Sequence, residues 1–176
     1  IDELHSALDP KAYRKAVALL AESEFIDIFG VENSLTPAMD LFTKLGYLGL
    51  TCRLNTDAYL QQIGAGHLPH GAVAVAFSHS GSSADTVKAL RLAKSHGAKT
   101  IAITNAIGAP LASWADVTLL TGRDSHTIYG NAIFSRVADT ALVDMLYMGV
   151  ILSDYGRFST ALDESGRMIR DRVFEN

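Results

Sequence analysis

Short apolar runs and longer amphipathic stretches alternate along the chain. Runs rich in β-branched or aromatic residues occur at Phe25 to Phe29, Thr51 to Leu54, Val73 to Phe77, Thr100 to Thr104 and Val117 to Leu120. They are short, mostly apolar and bordered by Gly, Ser or Asn, the pattern of strands buried on both faces of a parallel sheet. Asp27 and Arg53 interrupt two of them. Between the runs, apolar residues recur at helical spacing: Leu35, Met39, Phe42 and Leu45 in one stretch, Ala84, Val87, Leu90 and Ala93 in another. The spacing predicts helices over Leu35 to Tyr47 and Ala84 to His96. Ser82 with Asp85 fits a capping box at the start of the second, and Gly97 fits its C-terminal cap. Asp9-Pro10 opens a further helix, Pro10 to Ala21. Asn131 to Leu152 reads as a long helix, apolar on most sides, that is deeply buried or lies against a partner chain. Arg157 to Phe174 carries Phe158, Leu162, Ile169 and Val173 on one stripe, with Arg167, Arg170 and Arg172 as a solvated face.

Strand and helix in alternation imply right-handed βαβ crossovers and a three-layer α-β-α sandwich around a five-stranded parallel sheet. With 176 residues and no repeat or linker, the chain is expected to be a single domain over residues 1–176. Apolar residues at 48% and charged residues at 19% exclude disorder as the main state. A formal charge of −4 argues against a nucleic-acid surface on this chain. Cys52 is the one cysteine, so no internal disulfide is expected, which fits a reducing cytosol and a cytoplasmic location. No apolar run approaches the roughly 20 residues of a membrane helix, so no membrane partner is expected. A start at Ile1 rather than Met is expected of a piece of a longer protein.

Open α/β sheets bind ligands beyond the carboxyl ends of their strands, where strand order reverses. Two strand-to-helix loops are chemically unusual. Ser78-His79-Ser80-Gly81-Ser82-Ser83 offers hydroxyls and backbone N–H groups at a helix N-terminus, where the macrodipole favours an anion. Gly81 permits a turn in which N–H groups converge on one oxyanion. A Walker-type lysine is missing, so a phosphate monoester suits the loop better than a nucleoside triphosphate. The same residues would equally form a plain capping turn. The second loop is Gly30-Val31-Glu32-Asn33-Ser34, with Ser34 placed as a helix cap or a ligand contact.

At these loops the sequence resembles the sugar isomerase (SIS) superfamily of phosphosugar-binding domains. The resemblance rests on Ser78-His79-Ser80-Gly81-Ser82-Ser83-Ala84-Asp85-Thr86, on Gly97-Ala98-Lys99 and Ile101-Ala102-Ile103-Thr104-Asn105, and on Ala115-Asp116-Val117-Thr118-Leu119-Leu120. Phe134-Ser135-Arg136-Val137-Ala138 with Leu142-Val143-Asp144-Met145-Leu146 is similar to the effector domain of RpiR-type transcriptional regulators. The resemblance implies a flavodoxin-like SIS fold that binds a sugar phosphate without a cofactor, as a homodimer or higher homo-oligomer. DNA would be met only through a helix-turn-helix domain missing from this chain. It also implies that Ser78, Ser80 and Ser83 hold the phosphate, that Gly81 gives backbone access and that Ser34 contacts the ligand from the first loop. Where the family's first loop usually has a second glycine, this chain has Glu32, a carboxylate that repels a phosphate unless it turns away or meets a sugar hydroxyl or amine.

The expected ligand set is therefore Asn33, Ser34, Ser78, His79, Ser80, Gly81 and Ser83, with Glu32, Asp124 and His126 as candidate readers of the sugar. Two functions are open at this stage. A phosphosugar-sensing effector domain needs only the site. An aldose–ketose phosphosugar isomerase also needs a base and an acid, for which Glu32, His79, Asp124 and His126 are the candidates. His67 and His70 flank Pro69 without a third ligand, so no metal site is expected there.

Overall fold

The computed structural model describes residues 2–122 and 136–170. In chain order the elements are α1 (Asp2–Ala7), α2 (Pro10–Glu22), β1 (Ile26–Phe29), α3 (Leu35–Tyr47), β2 (Cys52–Leu54), α4 (Ala58–Ala65), β3 (Val73–Phe77), α5 (Ala84–Ser95), β4 (Lys99–Thr104), β5 (Val117–Leu120), α6 (Val137–Ser153) and α7 (Tyr155–Met168). Short 3-10 turns at Glu32–Ser34 and Pro110–Trp114 precede α3 and β5. The strands form one parallel sheet in the order β2-β1-β3-β4-β5. All five runs read from the sequence are strands, within a residue of their expected ends.

The side-chain alternation of a strand assigns the two faces. Ile26, Ile28, Val73, Val75, Phe77, Ile101, Ile103, Val117 and Leu119 point into one cluster with α2, α3, α6 and Phe158 of α7. Phe29 and the alanines 74, 76 and 102 point into the other, against Ala65 of α4 and Ala89, Leu90 and Ala93 of α5. Bulky β-branched residues therefore fill the first layer, and small residues let α5 lie close on the second.

The two polar interruptions answer each other. Asp27 and Arg53 are register partners across β1 and β2. Arg53 Nε donates to Asp27 Oδ1 at 3.0 Å and Nη2 to Oδ2 at 2.7 Å, a bidentate pair around a carboxylate that is 1% exposed. The guanidinium also stacks over Phe25 at 5.2 Å. A Cβ on Gly64 would come within 2.6 Å of Arg53 Nη2, so glycine in α4 leaves the guanidinium room to sit where it does.

Several helix boundaries differ from the expectation. Ser83, not Ser82, stands at the N-cap position of α5, because the left-handed Gly81 (φ +63°) leaves Ser82 in the turn, where its hydroxyl donates to the Ser80 carbonyl at 3.2 Å. The C-terminal cap is as expected, with Gly97 at φ +87°. The long helix begins at Val137 rather than Asn131, since Arg136 stands outside helical angles (φ −97°, ψ 9°) as its cap; residues 131–135 lie outside the described residues. This helix is both things the sequence allowed: Leu142, Val143, Leu146 and Val150 are buried, while Val137, Met145, Met148 and Leu152 are exposed. The last helix starts at Tyr155 and buries only Phe158; Ile169 lies past its end, and Arg172 and Val173 are outside the described residues. Helices α1 and α4 were not anticipated. No described helix is long and apolar enough to cross a membrane.

Candidate functional site

Strand order reverses between β1 and β3, since the chain leaves β1 for β2 on one side and returns to β3 on the other. The loops after those two strands are the two singled out by their chemistry, and they face each other across a cleft of about 560 Å³. Its walls are Val31, Glu32, Asn33 and Ser34 from the first loop, Ser78, His79, Ser80, Ser82, Ser83 and Asp85 from the second, and Arg136.

The serine loop is fastened to the end of β4. The Ser78 amide donates to the Ile103 carbonyl, and the His79 carbonyl accepts from the Asn105 amide and the Thr104 hydroxyl, each at 3.0 Å. Gly81 does not line the cleft. It is buried, its N–H donates to the Ser78 carbonyl at 2.9 Å, and its carbonyl accepts from the Leu111 amide. Its contribution is therefore the shape of the turn rather than an open amide donor. The first loop is held at its start by buried Gln61, which accepts from the Gly30 amide at 3.3 Å and donates to the Gly30 carbonyl at 2.7 Å.

The starts of α2 to α7 divide into two groups. Asp9, Asp57 and Asp154 cap α2, α4 and α7, each accepting a backbone N–H. Ser34, Ser83 and Arg136 begin α3, α5 and α6, and none makes a side-chain capping bond. All three uncapped starts line the cleft. In α5 the first helical bond runs from the Val87 amide to the Ser83 carbonyl at 2.9 Å, so the amides of Ala84, Asp85 and Thr86 precede the ladder. Donors left open at a helix N-terminus, beside serine hydroxyls, suit an oxyanion.

The cleft also carries charge. Arg136 lies with its guanidinium 3.9 Å from Asp139, a carboxylate that is 6% exposed. Burial pushes Asp139 above the usual carboxylate range, against a hydrogen bond from Thr121 and the pull of His79 and Arg136. Burial and then Arg136 hold the His79 imidazole below its ordinary value, with Asp139 opposing. The ring is therefore neutral near pH 7. Asp85 accepts from Gln62 Nε2 at 3.2 Å.

Glu32 has φ +51° and is the non-glycine residue in the left-handed region among those described. Glycine adopts that conformation without strain, whereas an L-residue with a side chain does not. The structure thus brings Glu32, Asn33, Ser34, Ser78, His79, Ser80 and Ser83 into one cleft and removes Gly81 from its surface. Asp124 and His126 lie outside the described residues. Arg136, Asp85 and Gln61 were not anticipated as site residues; Arg136 stood in the sequence only as part of a helix motif. His67 is occupied by the Ile63 carbonyl, 2.9 Å from Nδ1.

The SIS domain family matches the chain over residues 19–149. The chain belongs to the SIS domain family. This SIS domain is 30% identical over 176 residues to an uncharacterized HTH-type transcriptional regulator of Caldanaerobacter subterraneus, covering 100% of the chain and 62% of that protein. It is 27% identical over 175 residues to the HTH-type transcriptional regulator HexR of Escherichia coli, covering 99% of the chain and 60% of that protein. The chain spans about half to three-fifths of the length of the curated relatives it matches. Among solved structures, the NanR protein of Vibrio vulnificus complexed with ManNAc-6P superposes with a TM-score of 0.90 at 25% identity, covering 99% of this chain and 67% of that one. The sugar isomerase domain of an RpiR transcription factor from Sphaerobacter thermophilus superposes at 0.84 with 23% identity, covering 94% of this chain and 91% of that one.

Proposed function

We propose that this SIS domain is the phosphosugar-binding effector domain of an RpiR-type transcriptional regulator of sugar-metabolism genes. One observation carries the reading: three helix starts without side-chain caps converge with the serine loop on a cleft at the reversal of strand order. The NanR neighbour, in complex with an N-acetylhexosamine phosphate, supports the same ligand class. Ser78, Ser80 and Ser83 with the α5 amides take the phosphate, and Glu32, Asn33, Ser34 and His79 read the sugar. The domain works in the cytoplasm as a homodimer, with Met145, Met148 and Leu152 of α6 as a fitting seam because they are large, apolar and exposed on one helix. DNA is bound by a helix-turn-helix domain outside this chain. Ligand preference for one arrangement of the dimer then sets the spacing of those heads.

A thermal-shift screen tests this with hexose, pentose and N-acetylhexosamine phosphates beside their unphosphorylated sugars. A phosphosugar at about 100 times its dissociation constant adds about 2.7 kcal/mol, and its free sugar adds nothing. Recovery of the stabilising compound unchanged supports a sensor, and conversion to an isomer supports an aldose–ketose isomerase using Glu32 and His79. No shift with any phosphosugar refutes both.

A further inference from the structure

Two partly buried arginines stand beside buried carboxylates in this domain, with opposite outcomes. Arg53 satisfies its guanidinium with both oxygens of Asp27. Arg136 does not. Its side chain is 13% exposed, and its Nε and Nη1 are buried with no hydrogen-bond partner among the described residues. The carboxylate that faces it, Asp139, stands 3.9 Å from Nη1, beyond hydrogen-bond reach, and already accepts from Thr121. Buried donors left unmet are costly, more so on a charged group.

Its place on the helix adds to the cost. Arg136 is the first residue before a 17-residue helix, where the macrodipole is positive and a cation is unfavourable. It also lines the same cleft as Ser78, Ser80 and Ser83, whose hydroxyls are neutral donors. Desolvation, the lack of a hydrogen-bond partner among the described residues and helix polarity all disfavour this guanidinium, and an oxyanion beside it relieves all three.

We propose that Arg136 is the charged anion contact of the cleft, with its guanidinium donating to an anionic oxygen of the phosphosugar. This rests on the phosphosugar reading and deepens it. The serine loop supplies shape and neutral donors, and Arg136 makes the site prefer a phosphorylated ligand to its free sugar through charge-assisted bonds. Lysine cannot replace it fully, because a point charge lacks the planar fork.

Calorimetric titration of the wild-type chain, Arg136→Gln and Arg136→Lys with orthophosphate and with the phosphosugar that stabilises most tests this, alongside melting of each unliganded protein. Arg136→Gln is expected to weaken orthophosphate and the phosphosugar about tenfold or more, with Arg136→Lys between. Unliganded Arg136→Gln is expected to melt at or above the wild-type temperature, which a merely structural arginine would not allow. Wild-type-like affinity in Arg136→Gln, or a lowered melting point with affinity unchanged, overturns the proposal while leaving the phosphosugar reading intact. Should Arg136→Gln not fold, Arg136→Lys decides: an intermediate loss supports the proposal, and unchanged binding overturns it. A wild-type chain that binds neither probe overturns both readings.

Discussion

A Cβ built on Gly81 lands on the Cβ of Ala109, so the serine loop can take its course only because these two residues meet without a side chain on one of them. Thr104 Oγ1 would also lie 2.9 Å from that Cβ, and φ at Gly81 is +63°. Gly81→Ala is therefore expected to destabilise the domain by about 2 kcal/mol or more and to abolish phosphosugar binding. Ala109→Gly in the same chain removes the worst clash but neither the Thr104 contact nor the backbone strain, so recovery is partial. Urea unfolding of the single and double variants checks this. Wild-type stability in Gly81→Ala would mean that Ala109 and Thr104 give way at no cost, and would overturn close approach as the reason for glycine here.

The serines that line the cleft have little structural employment. Ser80 Oγ accepts from the Ser82 amide at 3.3 Å, and Ser83 Oγ accepts from Thr86 Oγ1 at 3.3 Å, both long. Ser80→Ala with Ser83→Ala should leave the unliganded melting point within a degree or two. Phosphosugar binding should fall by about 3 kcal/mol or more, since each hydrogen bond to a charged group contributes about 1.5–3 kcal/mol. Unchanged affinity in titration calorimetry would move the phosphate elsewhere.

Much of this arrangement is visible in the one-dimensional pattern, for a physical reason. Strands buried on both faces must be apolar at every position, so β3, from Val73 to Phe77, stands out with both its ends. The loops that follow β1 and β3 stand out because serine, glycine and asparagine do not occur in such strands. Features that depend on neighbours distant in sequence are not legible in this way. Asp27 and Arg53 read as faults in two strands until the register pairs them. The cap of α5 falls one residue late because Gly81 turns the chain first. Helix α4 is short, from Ala58 to Ala65, and its Gly64 leaves room for Arg53, a neighbour distant in sequence. Arg136 reaches the cleft from the start of α6, far along the chain from the serine loop, and no local pattern announces that.

The Asp27–Arg53 pair makes a prediction about the sheet edge. Arg53→Met keeps the bulk of the side chain and leaves a 1% exposed carboxylate with no cation. A loss of about 3–5 kcal/mol is expected, as for other broken buried pairs. Asp27→Asn with Arg53→Met removes the stranded charge and should recover a large part of that loss. If the single and double variants unfold at the same urea concentration, the carboxylate is not what makes the single change costly.

Glu32 separates strain from ligand recognition. Its φ of +51° costs an L-residue about 1–2 kcal/mol, and the greater chain entropy of glycine takes back about 0.5–1 kcal/mol. Glu32→Gly should thus stabilise the unliganded domain by about 0.5–1 kcal/mol. It also removes a carboxylate from the wall of an anion site, so orthophosphate should bind more tightly. A carboxylate that reads the sugar gives a split result: Glu32→Gly gains affinity for orthophosphate and loses discrimination between amino and hydroxyl sugar phosphates. Loss of affinity for both probes would mean that Glu32 shapes the loop and does not merely tolerate it.

The last prediction concerns pH and follows from the position of His79. Burial lowers its pKa first and Arg136 lowers it further, with Asp139 opposing. A folded pKa below the unfolded value of about 6.5 means that the unfolded chain takes up the proton first as pH falls. The stability that neutral His79 contributes is therefore fully present above pH ~6.5 and is lost on acidification from there down to the folded pKa. His79→Gln should flatten the fall in melting temperature between pH 7.5 and 5.5. A bound phosphate acts in the opposite sense, because an anion beside the ring favours imidazolium and raises its pKa. Proton NMR of the ring should show titration below 6.5 without ligand and a higher midpoint with phosphosugar. A ring that titrates at 6.5 or above in the unliganded protein, or one indifferent to ligand, would place His79 outside the field of Arg136 and the bound anion.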